Sequence, residues 1–499
     1  MGEENSDLLE WVTGNREDSY VGEVAIDIKC ASIFVVPKIL KGNDAIYNPQ
    51  VISMGPYHFL KPYTAQMESE KSKIIARVVK DKLPADFFAP LQKIRQDGRL
   101  SDLEEDSFFK RVLHQGCRDC YGEAEFVQKL SEETFALMMF RDASFLLVFL
   151  ANFVIDGENK RGLQHHGSGG GGGGPFRGLK SGEGLYLEVI KDVVKLENQI
   201  PLSSLESIYG FICDPKRRFG DFVAQICSYY SPFWFQSHYN KLLKDLQLDF
   251  ATKAHLLHCL YEMTVNCEPC EGIVRGSYNK GWSTLIRWLK KHSLNLGLKK
   301  GGKKLQDPIR LYGSSVLPSA VKLSKAGVKF KHYEGGIKHI WFDWKNSTLY
   351  LPVLRIGILT ETVIRNLIAF ELCSSDCEAK PVTSFARLLE ELTQGEKDVE
   401  LLRRSEILVN WVGSDDKAAR ILTNLSSSTW KPYFKPVNSA RSSLKNYYKR
   451  RTWKILWTEF LDAYCSKPWI LISAIAASAL LVMTALQVFC LFYTCNKNA

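Results

Sequence analysis

SFLLVFLANFVI, Ser144–Ile155, is the stretch on which the architecture turns. It lies between Asp142 and Asp156, and a helix needs about 20 apolar residues to cross a hydrocarbon layer about 30 Å thick. The run is too short for that, so it predicts a helix buried in a protein core. Its lead, SEETFALMMF, supports a helix: Ser131 and Thr134 supply capping oxygens, and Glu132 and Glu133 suit the positive end of the helix dipole.

Working outward, helical spacing recurs in QMESEKSKIIARVVKDKL (Gln66–Leu83) and EEDSFFKRVLHQGCRDCYG (Glu104–Gly122). It recurs again in GLYLEVIKDVVKLENQIPLSSLESIYGF (Gly184–Phe211), where Pro201 interrupts it. GWSTLIRWLKKHSLNLGLKKGGKKL (Gly281–Leu305) reads as a helix running into a basic loop. Then the period changes. GVKFKHY (Gly327–Tyr333) and HIWFDWKNSTLYLPVLRI (His339–Ile356) alternate, with Lys345-Asn346-Ser347 as a turn, which predicts a small antiparallel β element with a hairpin near 328–356. Helices resume at Thr360, Val382, Glu396 and Ser414. The expected fold is mainly α: a helical soluble body, a small antiparallel element, and one C-terminal transmembrane helix.

That last helix is Trp469–Cys495, which holds no charged residue. Only 496–499 lie beyond it, with Lys497, whereas Arg441, Lys445, Lys449, Arg450, Arg451 and Lys454 precede it without an acidic residue among them. The positive-inside rule then puts the body in the cytoplasm of a single-pass protein, with the plasma membrane as the expected membrane. The expected organisation is an acidic tail (1–23), a helical body (24–428), a basic, aromatic juxtamembrane segment (429–468), the span (469–495) and a short tail (496–499). The start lacks the basic and apolar regions of a secretory signal. The sequons at Asn346 and Asn424 give a test, because a glycan on either would place the body outside the cytoplasm.

Composition bounds the chemistry. The net charge of +10 is modest for 499 residues, and six of those charges sit at Arg441–Lys454; the nearly balanced remainder argues against nucleic acid as a partner. The expected partners are membrane lipid through the C-terminal helix, anionic lipid at Arg441–Lys454, and a further protein. Thirteen cysteines are too sparse for a disulfide scaffold. Cys117-x-x-Cys120 and Cys267-x-x-Cys270 have zinc-like spacing but lack zinc-knuckle surroundings, so reduced structural thiols are expected and no metal or cofactor. The glycine run at 167–174, beside His165 and His166, lacks the spacing and the Lys-Ser/Thr of a phosphate loop and reads as a surface insertion.

No complete catalytic motif occurs, and the chain is expected not to be an enzyme. The alternative is an acid/base site in VISMGPYHFLKPYTAQMESEK, pairing His58 with Glu68 or Glu70. Its bland counterpart is a turn with His58 hydrogen-bonded to backbone. In LENQIP, the polar run Glu197-Asn198-Gln199 before Pro201 reads as a brace for carbonyls freed at the helix break.

Seven blocks carry a resemblance: NPQVISMGPYHF, MESEK, KLENQIP, LPSAVKLSKAGVKFK, LPVLRIGILTETVIRNLIAFE, VTSFARLLEELTQGEKDVELL and PWILISAIAASALLVMTALQ. Together, over roughly Val24–Cys495, the chain resembles the plant family called domain of unknown function 247, also called uncharacterised protein family 0481. The resemblance implies a plant protein with a helical body and a C-terminal anchor, and recognition rather than a reaction. Phe59 stands where relatives show a second histidine after Pro-Tyr-His. Asp142-Ala143-Ser144-Phe145 replaces the usual Asp-Gly-Cys-Phe.

Overall fold

The computed structural model describes residues 32–41, 44–79, 82–84, 87, 108–113, 115–122, 125–162, 183–213, 216–233, 255–268, 316–375, 377, 379–425, 434–451 and 468–495. The acidic tail, the glycine run, His165 and His166, Cys270, the basic loop after Gly281 and residues 452–467 lie outside them. The helices used below are α1 (Ala65–Val78), α2 (Phe108–Leu113), α3 (Glu132–Gly162), α4 (Glu183–Asp192), α5 (Leu202–Ile212), α6 (Phe219–Tyr230) and α7 (Leu256–Asn266). After the strands come α8 (Thr360–Cys373), α9 (Pro381–Leu392), α10 (Glu396–Arg404), α11 (Asp415–Thr423), α12 (Lys435–Arg450) and α13 (Pro468–Cys495).

The long helix α3 is the axis of the first half. Ser131 caps it, its Oγ accepting the Thr134 N–H at 3.2 Å. From Phe135 to Leu150 it is apolar on nearly every side, which demands burial all round. Helices α1, α2 and α5 pack on it and meet that demand. Glu132–Asn152 is long and apolar enough to cross a membrane by length and composition alone, yet 78% of its apolar window is buried inside the body. It is a core helix, as the short run at Ser144 implies.

In the second half, five strands among the described residues make two small sheets. The strands are β1 (Lys329–Tyr333), β2 (Trp341–Asp343), β3 (Thr348–Pro352), β4 (Leu354–Ile356) and β5 (Leu408–Asn410). The expected hairpin exists: β2 runs antiparallel to β3, Ser347 takes the left-handed conformation (φ 53°), and Trp341 stacks on Tyr350 at 4.2 Å. The expectation of a purely antiparallel element is corrected. β1 pairs with β3 in parallel, giving the order β1-β3-β2, and β4 pairs in parallel with β5 across the excursion through α8–α10. Alternation marks a strand but not its neighbour; parallel pairing needs a crossover whose path is set by packing elsewhere. Glu371 of α8 caps α9, its carboxylate accepting the N–H groups of Val382 (2.6 Å) and Thr383 (2.8 Å).

The basic segment after 429 is, over Lys435–Arg450, a helix packed on the body. Val437, Ala440, Leu444 and Tyr447 form its buried stripe at spacings of three and four. Arg441 forks onto the nearly buried Glu391 of α9, its Nε donating to Oε2 at 2.6 Å. By contrast α13 holds its described apolar stretch, Ile475–Cys490, in the open, with Ile475, Leu481 and Phe489 all exposed.

Candidate functional site

The stretch Asn48–His58 threads between α1, α3 and the chain after α4, and side chains from three directions hold its backbone. Asp192, fully buried, accepts the consecutive N–H groups of Gln50 (3.0 Å), Val51 (2.8 Å) and Ile52 (3.0 Å). Lys195 balances that carboxylate at 2.8 Å and donates to the Asn48 carbonyl at 2.8 Å. Asn198 continues the clasp: its Oδ1 accepts the Met54 N–H at 2.6 Å, and its Nδ2 donates to the Ile52 carbonyl at 3.0 Å. An extended segment without a sheet neighbour would otherwise bury unpaired amides, so these side chains stand in for a β partner.

Gly55 is the pivot. Its N–H donates to Asp142 Oδ2 at 3.0 Å, and its φ is +72°. A Cβ there would sit 2.8 Å from the Tyr121 hydroxyl and 2.9 Å from the Gln199 carbonyl oxygen. Asp142 in turn binds Lys71 Nζ at 2.6 Å, and Lys71 also meets Glu68 at 2.7 Å. Burial pushes the Asp142 carboxyl up, while Lys71 opposes that rise.

The brace expected at LENQIP is present. Gln199 Nε2 donates to the carbonyls of Val193 (2.8 Å) and Lys195 (2.9 Å), both before the break at Pro201. Its Oε1 accepts the Leu257 N–H at 3.0 Å, tying in α7. Glu197 accepts the Val36 N–H at 2.7 Å and pairs with Lys41 at 2.7 Å and with His58 Nε2 at 2.9 Å. Burial works to raise the Glu197 carboxyl, but the bonds from His58, Lys41 and Val36 outweigh it and hold the group below the ordinary carboxylate range.

His58 therefore meets neither of the two carboxylates considered for it. Its ring is buried, with Nδ1 2.7 Å from the Tyr63 hydroxyl and Nε2 on Glu197. Glu68 faces Ser53 (3.0 Å), Lys71 and Arg141 (2.5 Å); Glu70 is on the surface with Lys73. Phe59, the departure from the family pattern, lines an apolar cleft of about 720 Å³ between α1 and α3, together with Ser72, Ile75, Leu137, Met138 and Arg141. A cleft of that size and lining fits a small apolar ligand.

Sequence reading overlooked Lys71, Asp142, Asp192 and Lys195. One signal was available: Asp142 interrupts an otherwise apolar helix, and a charge buried there must have a partner. Cys117 and Cys120 are buried; burial pushes the Cys117 thiol up to about 12, so it is protonated near neutrality. Cys267 is also buried, while its expected companion Cys270 lies outside the described residues.

Fold and site together define a mainly helical protein in which the blocks around Asn48–His58, Glu68–Lys71 and Lys195–Pro201 clasp one another internally. A family described as "plant protein of unknown function", DUF247, matches residues 33–483, and the chain belongs to it. Two Arabidopsis thaliana proteins are similar along their lengths. "Putative UPF0481 protein At3g02645" is 25% identical over 98% of this chain and 96% of its own. "UPF0481 protein At3g47200" is 21% identical over 95% of this chain and 89% of its own. No solved structure matches the chain.

Proposed function

We propose that this protein is a single-pass, membrane-anchored interaction module, its helical body presented to the cytoplasm as a docking surface for another protein, with the plasma membrane as the site. The observation that carries this reading is α13: its described apolar side chains are exposed, while the polar residues of the motif blocks turn inward and hold backbone. At 1.5 Å per residue, 28 helical residues extend about 42 Å, more than a bilayer's hydrocarbon thickness. The run of Lys and Arg at Arg441–Lys454, ahead of the helix and without an acidic residue among them, supports the orientation.

Protease protection on sealed plant microsomes, with an epitope at each end, tests it. An N-terminal epitope digested from outside and a short protected C-terminal fragment are expected. A protected body, or a glycan on Asn346 or Asn424, overturns the orientation. Both asparagines are exposed, so neither would be spared by burial. Crosslinking from those membranes is expected to recover one protein in constant proportion to the chain; its absence across tissues counts against the docking role.

A further inference from the structure

The tip of the β2–β3 hairpin and the end of α12 share one face. Trp344 is 43% exposed, and its ring lies 5.6 Å from Phe342 and 6.0 Å from Tyr447. The Arg450 guanidinium lies 5.6 Å over the Trp344 ring, and that of Arg451 lies 5.2 Å over Tyr447. Lys345 and Lys449 are exposed beside them, and none of these four cations pairs with a carboxylate among the described residues. The acid of the turn, Asp343, is occupied by the turn itself: it accepts the Lys345 N–H at 2.9 Å and the Asn346 side-chain amide at 2.7 Å. Arg441, further back on α12, is neutralised by Glu391.

We infer that this face, Trp344 with Lys345, Lys449, Arg450 and Arg451, is a second membrane contact that binds anionic phospholipid headgroups in the leaflet entered by α13. The inference rests on the anchored reading above and says which part of the body meets the bilayer. Chain continuity favours a bilayer as the occupant. Residues 452–467 join Arg451 to α13 and extend at most about 55 Å, so the end of α12 is tethered within that distance of the leaflet. Composition favours it too, since a half-exposed indole suits the headgroup layer and exposed cations suit a negative leaflet. It also distinguishes basic residues within Arg441–Lys454: Arg441 serves the fold, and Lys449, Arg450 and Arg451 face outward.

The test uses the full chain reconstituted in phosphatidylcholine vesicles with and without phosphatidylserine. Amide exchange is read at 342–347 and 447–451, and retention after carbonate washing is read in parallel. Exchange at both segments is expected to slow by at least about fivefold when phosphatidylserine is present, the effect of roughly one basic residue at a charged surface. Lys345→Glu with Arg451→Glu, which leaves the aromatic cluster in place, is expected to abolish the difference; Trp344→Ser is expected to reduce it. Equal exchange in both vesicles, with the protein retained, overturns this contact and leaves the anchor standing. Release by carbonate overturns the anchor itself. Slowing by added protein but not by phosphatidylserine assigns the face to a protein partner and overturns the lipid assignment.

Discussion

His58 Nε2 lies 2.9 Å from Glu197 Oε2, joining two motif blocks 139 positions apart. The other ring nitrogen, Nδ1, is held locally by the Tyr63 hydroxyl at 2.7 Å. The pair also draws in Lys41 and the Val36 amide, so one carboxylate fastens the early segment to the turn after α4.

Replacing Glu197 with Gln keeps the shape and removes the charge. It is expected to destabilise the body by about 3 kcal/mol, because Lys41 and His58 lose their shared anion. Urea unfolding of the detergent-solubilised chain measures it. The same carboxyl is held below its ordinary range in the fold, so its contribution is present above the ordinary carboxylate range and disappears as pH falls through the lowered value. The variant should show a weaker loss of stability in acid than the parent, and an unchanged acid limb would refute the assignment.

His255 gives a second, separate pH dependence. Its Nε2–H donates to the Ser32 carbonyl at 2.9 Å, and its Nδ1 accepts the His258 N–H at 3.3 Å as the cap of α7. Burial, with the nearby His258, lowers it from 6.5 to about 3. The folded state therefore binds fewer protons than the unfolded state between those values, and stability falls as pH drops from 6.5 toward 3. His255→Asn retains an acceptor for the cap and removes the titration. Its unfolding free energy should change less over that window, at a neutral-pH loss of about 1 kcal/mol.

Two glycines should respond in opposite directions. Gly55→Ala meets a left-handed backbone and two atoms within 3 Å, so a loss of about 3 kcal/mol is expected. Gly210, exposed within α5 with nothing inside 4 Å of a Cβ, should gain up to about 1 kcal/mol as Ala. Thermal melts of the two variants against the parent decide this, and a stabilising Gly55→Ala would contradict the geometry of the turn.

Lys71→Met leaves Asp142 and Glu68 facing each other without their shared cation. A loss of about 4 kcal/mol is expected, and Lys71→Met with Asp142→Asn should recover part of it. A double-mutant cycle in urea gives the coupling; additive losses would mean that the pair is not energetically linked.

Local rules made much of the architecture legible. Ser131 and the two glutamates announced the start of α3, the length of the Ser144 run distinguished a core helix from a crossing, and Lys345-Asn346-Ser347 marked a turn. Each depends on residues within a few positions of one another, where side-chain periodicity and capping act. The brace role of Gln199 was legible for the same reason, since the carbonyls it satisfies lie four and six residues away.

Tertiary structure alone decided the rest. The parallel pairing of β1 with β3 and of β4 with β5, the choice of Glu197 over Glu68 for His58, and the docking of α12 through Arg441 and Glu391 all join distant positions. Spacing within one segment carries no information about which remote carboxylate will be at hand. The partner of a buried charge is chosen by the packing that excludes water around it, and that packing exists only once the chain has folded.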